Sequence, residues 1–252
     1  MTEIPANTSN PSGEPIQIPE AGGLLAALVH LPEKLPAPAV ICCHGLLSSK
    51  DSAKFAAICE ELRREGFAAV RFDFSGCGAS PPVFEPTLLA TRRRNLAAVL
   101  AYVQRQSWSK GNPGLLGSSL GGYLALLAAA DPRGVPVEAV VCWATPFDLA
   151  RIRVALEEGA WSTHASALPR QLGDPENLSG LPPVSRVLVV HGQTDSTVDW
   201  REAVLLYRCL DDPKQLLLFE TADHRFLDPG CRQTAIKASV DWLVQHLSRT
   251  AL

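Results

Sequence analysis

Several functional classes leave no trace in this 252-residue chain. It contains no HExxH, no Cys/His cluster at zinc spacing, no Walker lysine motif and no GxGxxG, so neither a metal nor a cofactor is expected. Its seven cysteines are an odd number and include no CxxC pair, which reads as buried small hydrophobes in a reducing compartment and points to a cytoplasmic location. Charge of one sign is also missing: 23 basic against 26 acidic residues give a net charge of -3. Nucleic-acid binding draws on a clustered basic face, and none is visible, so no nucleic-acid partner is expected. The densest basic run, Arg92 to Arg94, reads as a solvated helix face. No apolar run is long enough to span a bilayer. Residues 1 to 15 have no basic stretch leading into an apolar one and read as a flexible tail rather than a leader. Internal repeats and low-complexity tracts are absent as well.

What is present is an alternation. With 46% hydrophobic residues the chain can bury a large core, and its length suits a single α/β domain over residues 16 to 252. Short β-branched runs at Ala39–Cys43, Ala68–Phe72, Gly114–Leu116, Val137–Cys142, Arg186–Val190 and Gln215–Phe219 read as strands. Segments of helical period separate or follow them at Ser52–Glu65, Leu88–Gln106, Leu120–Ala130, Glu202–Leu210 and Cys231–Ser248, the pattern of a mostly parallel sheet covered by helices. Ahead of these, Ile16–Ile18 and Leu24–Leu31 flank Glu20-Ala21-Gly22-Gly23 as an antiparallel hairpin at the sheet edge. The longest poorly patterned stretch, about residues 146 to 183, lies between two strands and is where a short lid would be inserted.

The strongest chemical signal is Gly117-Ser118-Ser119-Leu120-Gly121, a GxSxG between an apolar run and a helical segment. A serine-capped glycine turn could produce the same letters. A strand turning sharply into a helix, however, holds its serine in a strained conformation that only small neighbours permit, and lifts the hydroxyl clear of the sheet. The helix N-terminus adds a positive dipole and free N–H groups near any oxyanion that forms there.

In this context the chain resembles the α/β-hydrolase family from about Ile16 onward. His44-Gly45-Leu46-Leu47 looks like the family's HG turn, and the resemblance implies Leu46 and Leu120 as the backbone donors of an oxyanion hole, with His44 serving the turn. Phe72-Asp73-Phe74-Ser75-Gly76-Cys77-Gly78-Ala79-Ser80 resembles the glycine-rich turn after the next strand, where Cys77 reads as structural. His191-Gly192-Gln193-Thr194-Asp195-Ser196-Thr197-Val198 resembles the HGxxDxxV segment that supplies an acid, with Asp199 in place of a frequent proline. His224 follows the last strand at a loop-sized gap, which completes the order Ser, Asp, His expected of this fold. Asp223 and Asp228 are alternative acids, but neither lies on the preceding strand's loop.

The expected architecture is therefore an α/β-hydrolase fold with an eight-stranded, mostly parallel sheet. The expected chemistry is hydrolysis of a small-molecule ester or thioester through an acyl-enzyme on Ser119, with Asp195 and His224 as acid and base. Phe147 and Trp161, with Leu168, make the insertion apolar and are the candidate substrate contacts. Two alternatives stand beside this reading: a serine aminopeptidase-like enzyme, for which Glu157 and Glu158 would have to meet a free amino terminus, and a binding protein on the same fold.

Overall fold

The structure, a computed structural model, describes residues 13–82, 87–158 and 171–247. Glu14–Glu20 (β1) and Gly23–His30 (β2) form an antiparallel hairpin closed by Glu20 opposite Gly23, starting two residues ahead of the expected domain boundary at Ile16. Then come Ala37–Cys43 (β3), helix Ala53–Arg64 (α1), Ala68–Phe72 (β4), helix Leu88–Gln104 (α2), Ser109–Ser118 (β5) and helix Leu120–Ala129 (α3). The second half runs Val140–Trp143 (β6), helix Ala150–Glu157 (α4), Val187–Gly192 (β7), helix Trp200–Cys209 (α5), Lys214–Phe219 (β8) and helix Pro229–Leu247 (α6). The eight strands lie in the order β1-β2-β4-β3-β5-β6-β7-β8, antiparallel at β1/β2 and β2/β4 and parallel from β4 onward.

Side-chain alternation dictates that this sheet is clothed on both faces. Along β3, Ala39, Ile41 and Cys43 enter one apolar layer while Val40 and Cys42 enter the other. That two-residue period, apolar in both directions, is what a strand buried on both faces requires. The first layer also receives Leu96 and Val99 of α2, Tyr123 and Leu124 of α3, and Leu206 of α5. The second receives Phe55, Ile58 and Leu62 of α1 and Ile236, Val240 and Leu243 of α6. At about 25 cal/mol per Å2 of buried apolar surface, packing of these two layers is the dominant favourable term in folding.

The basic run on α2 departs from the solvated face expected for it. Arg93 is exposed, but Arg92 is fully buried and Arg94 pairs with Glu20 of β1. The reason is phase: Arg92 lies four residues from both Leu88 and Leu96, on the stripe that faces the sheet. The insertion holds an unexpected helix, α4, and residues 159–170 of it lie outside those described. Among the described residues no helix is long and apolar enough to cross a membrane. The parallel strands all point one way, so the segments following β3, β4, β5, β7 and β8 gather at one edge of the sheet, where ligands of such folds bind.

Candidate active site

Ser119 stands between β5 and α3 at φ 56° and ψ -126°, a left-handed conformation rare for a residue with a side chain. Its backbone N–H donates to Trp143 O at 2.8 Å, which holds the strained turn against β6. The close passage needs glycine on either side. A Cβ on Gly117 would fall 2.3 Å from Gly121 O, and one on Gly121 only 2.0 Å from Cys43 O. Leu120 opens α3, so its N–H belongs to the first turn, where no intrahelical acceptor exists.

Gly45 packs against this elbow, the position of a Cβ there being 3.3 Å from Ser119 Cβ. Phe74 N–H donates to His44 Nε2 at 3.1 Å, so Nδ1 carries the proton and donates to Gly45 O at 2.7 Å. Burial, then the nearby Arg92 guanidinium, lowers His44 to about 3 and keeps the ring neutral. Arg92 donates to Leu46 O at 2.9 Å, to Gly45 O at 3.3 Å and to Cys77 Sγ at 3.3 Å, and its guanidinium lies 4.7 Å over the Phe74 ring. The Gly45 carbonyl belongs to the same peptide unit as the Leu46 N–H. One buried cation and one imidazole thus fix and polarise the group named as an oxyanion donor.

The segments after β7 and β8 are tied together before either offers a side chain. Gln193 N–H donates to Phe219 O at 2.8 Å, Thr194 Oγ1 donates to Ala222 O at 2.8 Å, and a Cβ on Gly192 would meet Ala222 O at 2.0 Å. Phe226, at φ 54°, anchors the second segment by packing 4.8 Å from the Trp143 ring and 5.6 Å from Phe219.

This brings His224 Nδ1 to 2.7 Å from Asp195 Oδ2. The other oxygen, Oδ1, accepts the N–H groups of Thr197 at 2.8 Å and Val198 at 2.9 Å. His191 Nε2 lies 3.2 Å from Oδ2 and 3.1 Å from Val198 O; both are acceptors, so Nε2 bears that ring's proton. Burial alone would raise the Asp195 carboxyl, but hydrogen bonds from His191, His224 and Val198 N–H outweigh it and hold it well below the usual carboxylate range. A carboxylate facing Nδ1 fixes the His224 tautomer and leaves Nε2 as an acceptor.

The alternative acids are engaged locally: Asp223 Oδ1 accepts Leu227 N–H at 2.7 Å and Asp228 Oδ1 accepts Cys231 N–H at 2.7 Å. Asp199 accepts Arg201 N–H at 2.9 Å and caps α5.

Ser119, His224 and Leu46 open into one cavity of about 760 Å3, a size suited to a small organic molecule. Phe147 is not among its lining residues. It packs against the core, its N–H donates to Glu202 at 2.9 Å, and its carbonyl accepts Leu178 N–H at 3.0 Å. Trp161 and Leu168 lie outside the described residues. Another cavity, about 580 Å3 beside Arg93, Arg133 and Pro175, contains none of these groups. Among the described residues no three His, Cys, Asp or Glu side chains cluster so as to hold a metal ion.

Two residues escaped the sequence reading. For Arg92 the signal was there, in its phase with Leu88 and Leu96. Lys54 gave none: beside Phe55 at the start of α1 it looks like a surface lysine, yet its Nζ donates to Ser118 Oγ at 2.8 Å and lies 5.2 Å from the Trp143 ring.

The model of the α/β hydrolase fold family matches residues 38–168, and the chain belongs to that family. It is 27% identical over 234 residues to human "Palmitoyl-protein thioesterase ABHD10, mitochondrial", covering 84% of this chain and 74% of that protein. Among solved structures, "Alpha/beta hydrolase domain-containing protein 10 from mouse" superposes with a TM-score of 0.67 at 24% identity, over 92% of this chain and 98% of the other. Est1E from Butyrivibrio proteoclasticus, solved with ferulic acid bound, gives a TM-score of 0.71 at 20% identity, over 92% and 99% of the two chains.

Proposed function

We propose that the protein is a serine hydrolase that cleaves a carboxylic ester or thioester through an acyl-enzyme on Ser119. The observation that carries this is the 2.7 Å contact of His224 Nδ1 with Asp195 Oδ2, on a histidine sharing its cavity with a strained elbow serine. In the first half-reaction His224 Nε2 takes the Ser119 proton as Oγ attacks the substrate carbonyl carbon. The oxyanion that forms is held by the Leu46 and Leu120 N–H groups, the protonated His224 is stabilised by Asp195, and the proton passes to the departing alcohol or thiol. Water, deprotonated by the same imidazole, then releases the acid and restores Ser119. The names of the human thioesterase and of the ferulic-acid complex support acyl substrates. Seven free cysteines support work in a reducing compartment, the cytoplasm in our reading.

A peptidase reading gains no support, because Glu157 is exposed, paired with Arg153 at 3.3 Å, and not part of the cavity lining. The test is turnover of p-nitrophenyl esters and acyl thioesters by wild type and Ser119→Ala. Loss of the nucleophile should lower turnover on the order of a million-fold with the fold intact. Retention of more than a few per cent of activity by the purified alanine variant would refute Ser119 as nucleophile.

A further inference from the structure

The wall of the cavity is cationic in a way that ester hydrolysis does not need. Lys54, Arg225 and Arg232 line it, and among the described residues none of the three makes an ion pair. Asp51 is the acidic residue in the lining, and it is largely exposed and already paired with Lys50 Nζ at 3.0 Å. Lys54 is the group most in need of explanation. It sends its ammonium inward to Ser118 Oγ, the residue before Ser119, with the Trp143 ring at 5.2 Å and the Phe55 ring at 5.7 Å. An ammonium has three N–H donors, and one hydroxyl satisfies one of them. Burial first, and then the neighbouring Arg225, lower Lys54 to about 8, against smaller opposing contributions from Asp223 and Asp195. Arg225 directly follows His224 in the chain and is exposed, so a cation adjoins each of the two proposed reacting side chains.

An ammonium turned inward without an ion-pair partner is costly, and it persists where a ligand of opposite charge completes it, with the exposed Arg225 and half-buried Arg232 extending the positive wall toward solvent. Leu47, Ile152 and Leu227 supply apolar wall beside the cations. Building on the proposed serine hydrolase reading, we infer that the substrate carries a carboxylate, separated from the scissile ester or thioester by an apolar spacer and bound by Lys54 with Arg225 and Arg232. A monoanionic carboxylate suits the site better than a phosphate dianion, because the Lys54 end is partly walled by aromatic rings and a second negative charge would lose more hydration. The same cations repel a free amino terminus, which also counts against the aminopeptidase alternative.

The test is a set of p-nitrophenyl half-esters of dicarboxylic acids of increasing spacer length. Each is paired with the same compound capped as its methyl ester, and rates are corrected for spontaneous hydrolysis. At the best spacer, kcat/KM for the free acid should exceed that of its capped partner by about tenfold or more, the value of one charge-assisted hydrogen bond. Lys54→Met should collapse that ratio toward one, Lys54→Arg should keep most of it, and Arg232→Gln should lower it part of the way. A wild-type ratio of one or less at every spacer overturns the inference, as does a ratio unchanged in folded Lys54→Met or, should Lys54→Met fail to fold by circular dichroism, a ratio unchanged in Arg232→Gln. A stronger preference for phosphate-ended esters overturns the choice of carboxylate. Should the capped esters be cleaved with dependence on Ser119 but without acid preference, this inference alone fails. Should no ester be cleaved and Ser119 resist fluorophosphonate, the hydrolase reading falls and this inference with it.

Discussion

Asp195 accepts from two histidines and two backbone N–H groups, and that concentration of donors onto one carboxylate is what separates it from Asp223 and Asp228. Asp195→Asn keeps the shape but offers His224 Nδ1 a group that can favour the wrong tautomer, and ester turnover should fall roughly ten-thousand-fold. Asp223→Asn, whose carboxylate serves Leu227 N–H, should stay within a few-fold of wild type; the reverse ranking would show that the acid has been misassigned. The same carboxylate links stability to pH. Its folded pKa is depressed, so its contribution is complete above the ordinary carboxylate value of about 4 and is lost as pH falls from there through the lowered folded value. The thermal-stability advantage of wild type over Asp195→Asn, measured from pH 7 to pH 3, should therefore hold down to about pH 4 and shrink below it. A gap that widens on acidification would contradict the depressed pKa.

Between residue and fold lie the turns, where backbone spacing rather than side-chain chemistry decides the outcome. Gly121→Ala puts a methyl 2.0 Å from a backbone carbonyl that cannot swing aside, and should cost about 3 kcal/mol or more in chemical denaturation. Gly180→Ala meets nothing within 4 Å and should change stability by less than about 0.5 kcal/mol. Equal effects of the two would mean that the elbow is not the tight passage described. Arg92→Lys keeps a positive charge but loses the planar fork that spans Gly45 O, Leu46 O and Cys77 Sγ. Turnover should drop about tenfold with KM changed far less, because the turn orders a group that the proposed mechanism uses when the oxyanion forms. A pure KM effect would remove Arg92 from that role.

The sequence was most legible where a rule of local geometry acts alone. β4 begins and ends at Ala68 and Phe72, as its apolar run indicates, and the GxSxG, HG and HGxxD segments lie where strands feed into turns. It was least legible where tertiary pairing overrides composition. β5 starts at Ser109, through Lys110, Gly111, Asn112 and Pro113, because β3 pairs with it from Ala37 and Pro38 onward across a register shift. Val137 to Ala139 look like strand, yet β6 pairs only from Val140, Glu138 N–H being taken by Pro113 O at 3.0 Å. α4 carries Arg151 and Arg153 among its apolar residues and shows no stripe wide enough to announce it.

At the scale of the whole molecule, a single sheet edge gathers side chains spread over more than a hundred residues of sequence, from Lys54 and Ser119 to Asp195 and His224. What the sequence could not foretell there is the cavity's charge. Lys54 and Arg225 belong to segments that are distant in the chain, and each alone reads as an ordinary surface cation. The central claim, that this convergence activates Ser119, is tested most directly by intact-mass and peptide mass spectrometry after treatment with a fluorophosphonate at neutral pH. Wild type should gain a single adduct on Ser119, Ser119→Ala should gain none, and Asp195→Asn should label far more slowly. A folded wild-type protein left unmodified, or one labelled at Ser118 or another serine instead, would contradict it.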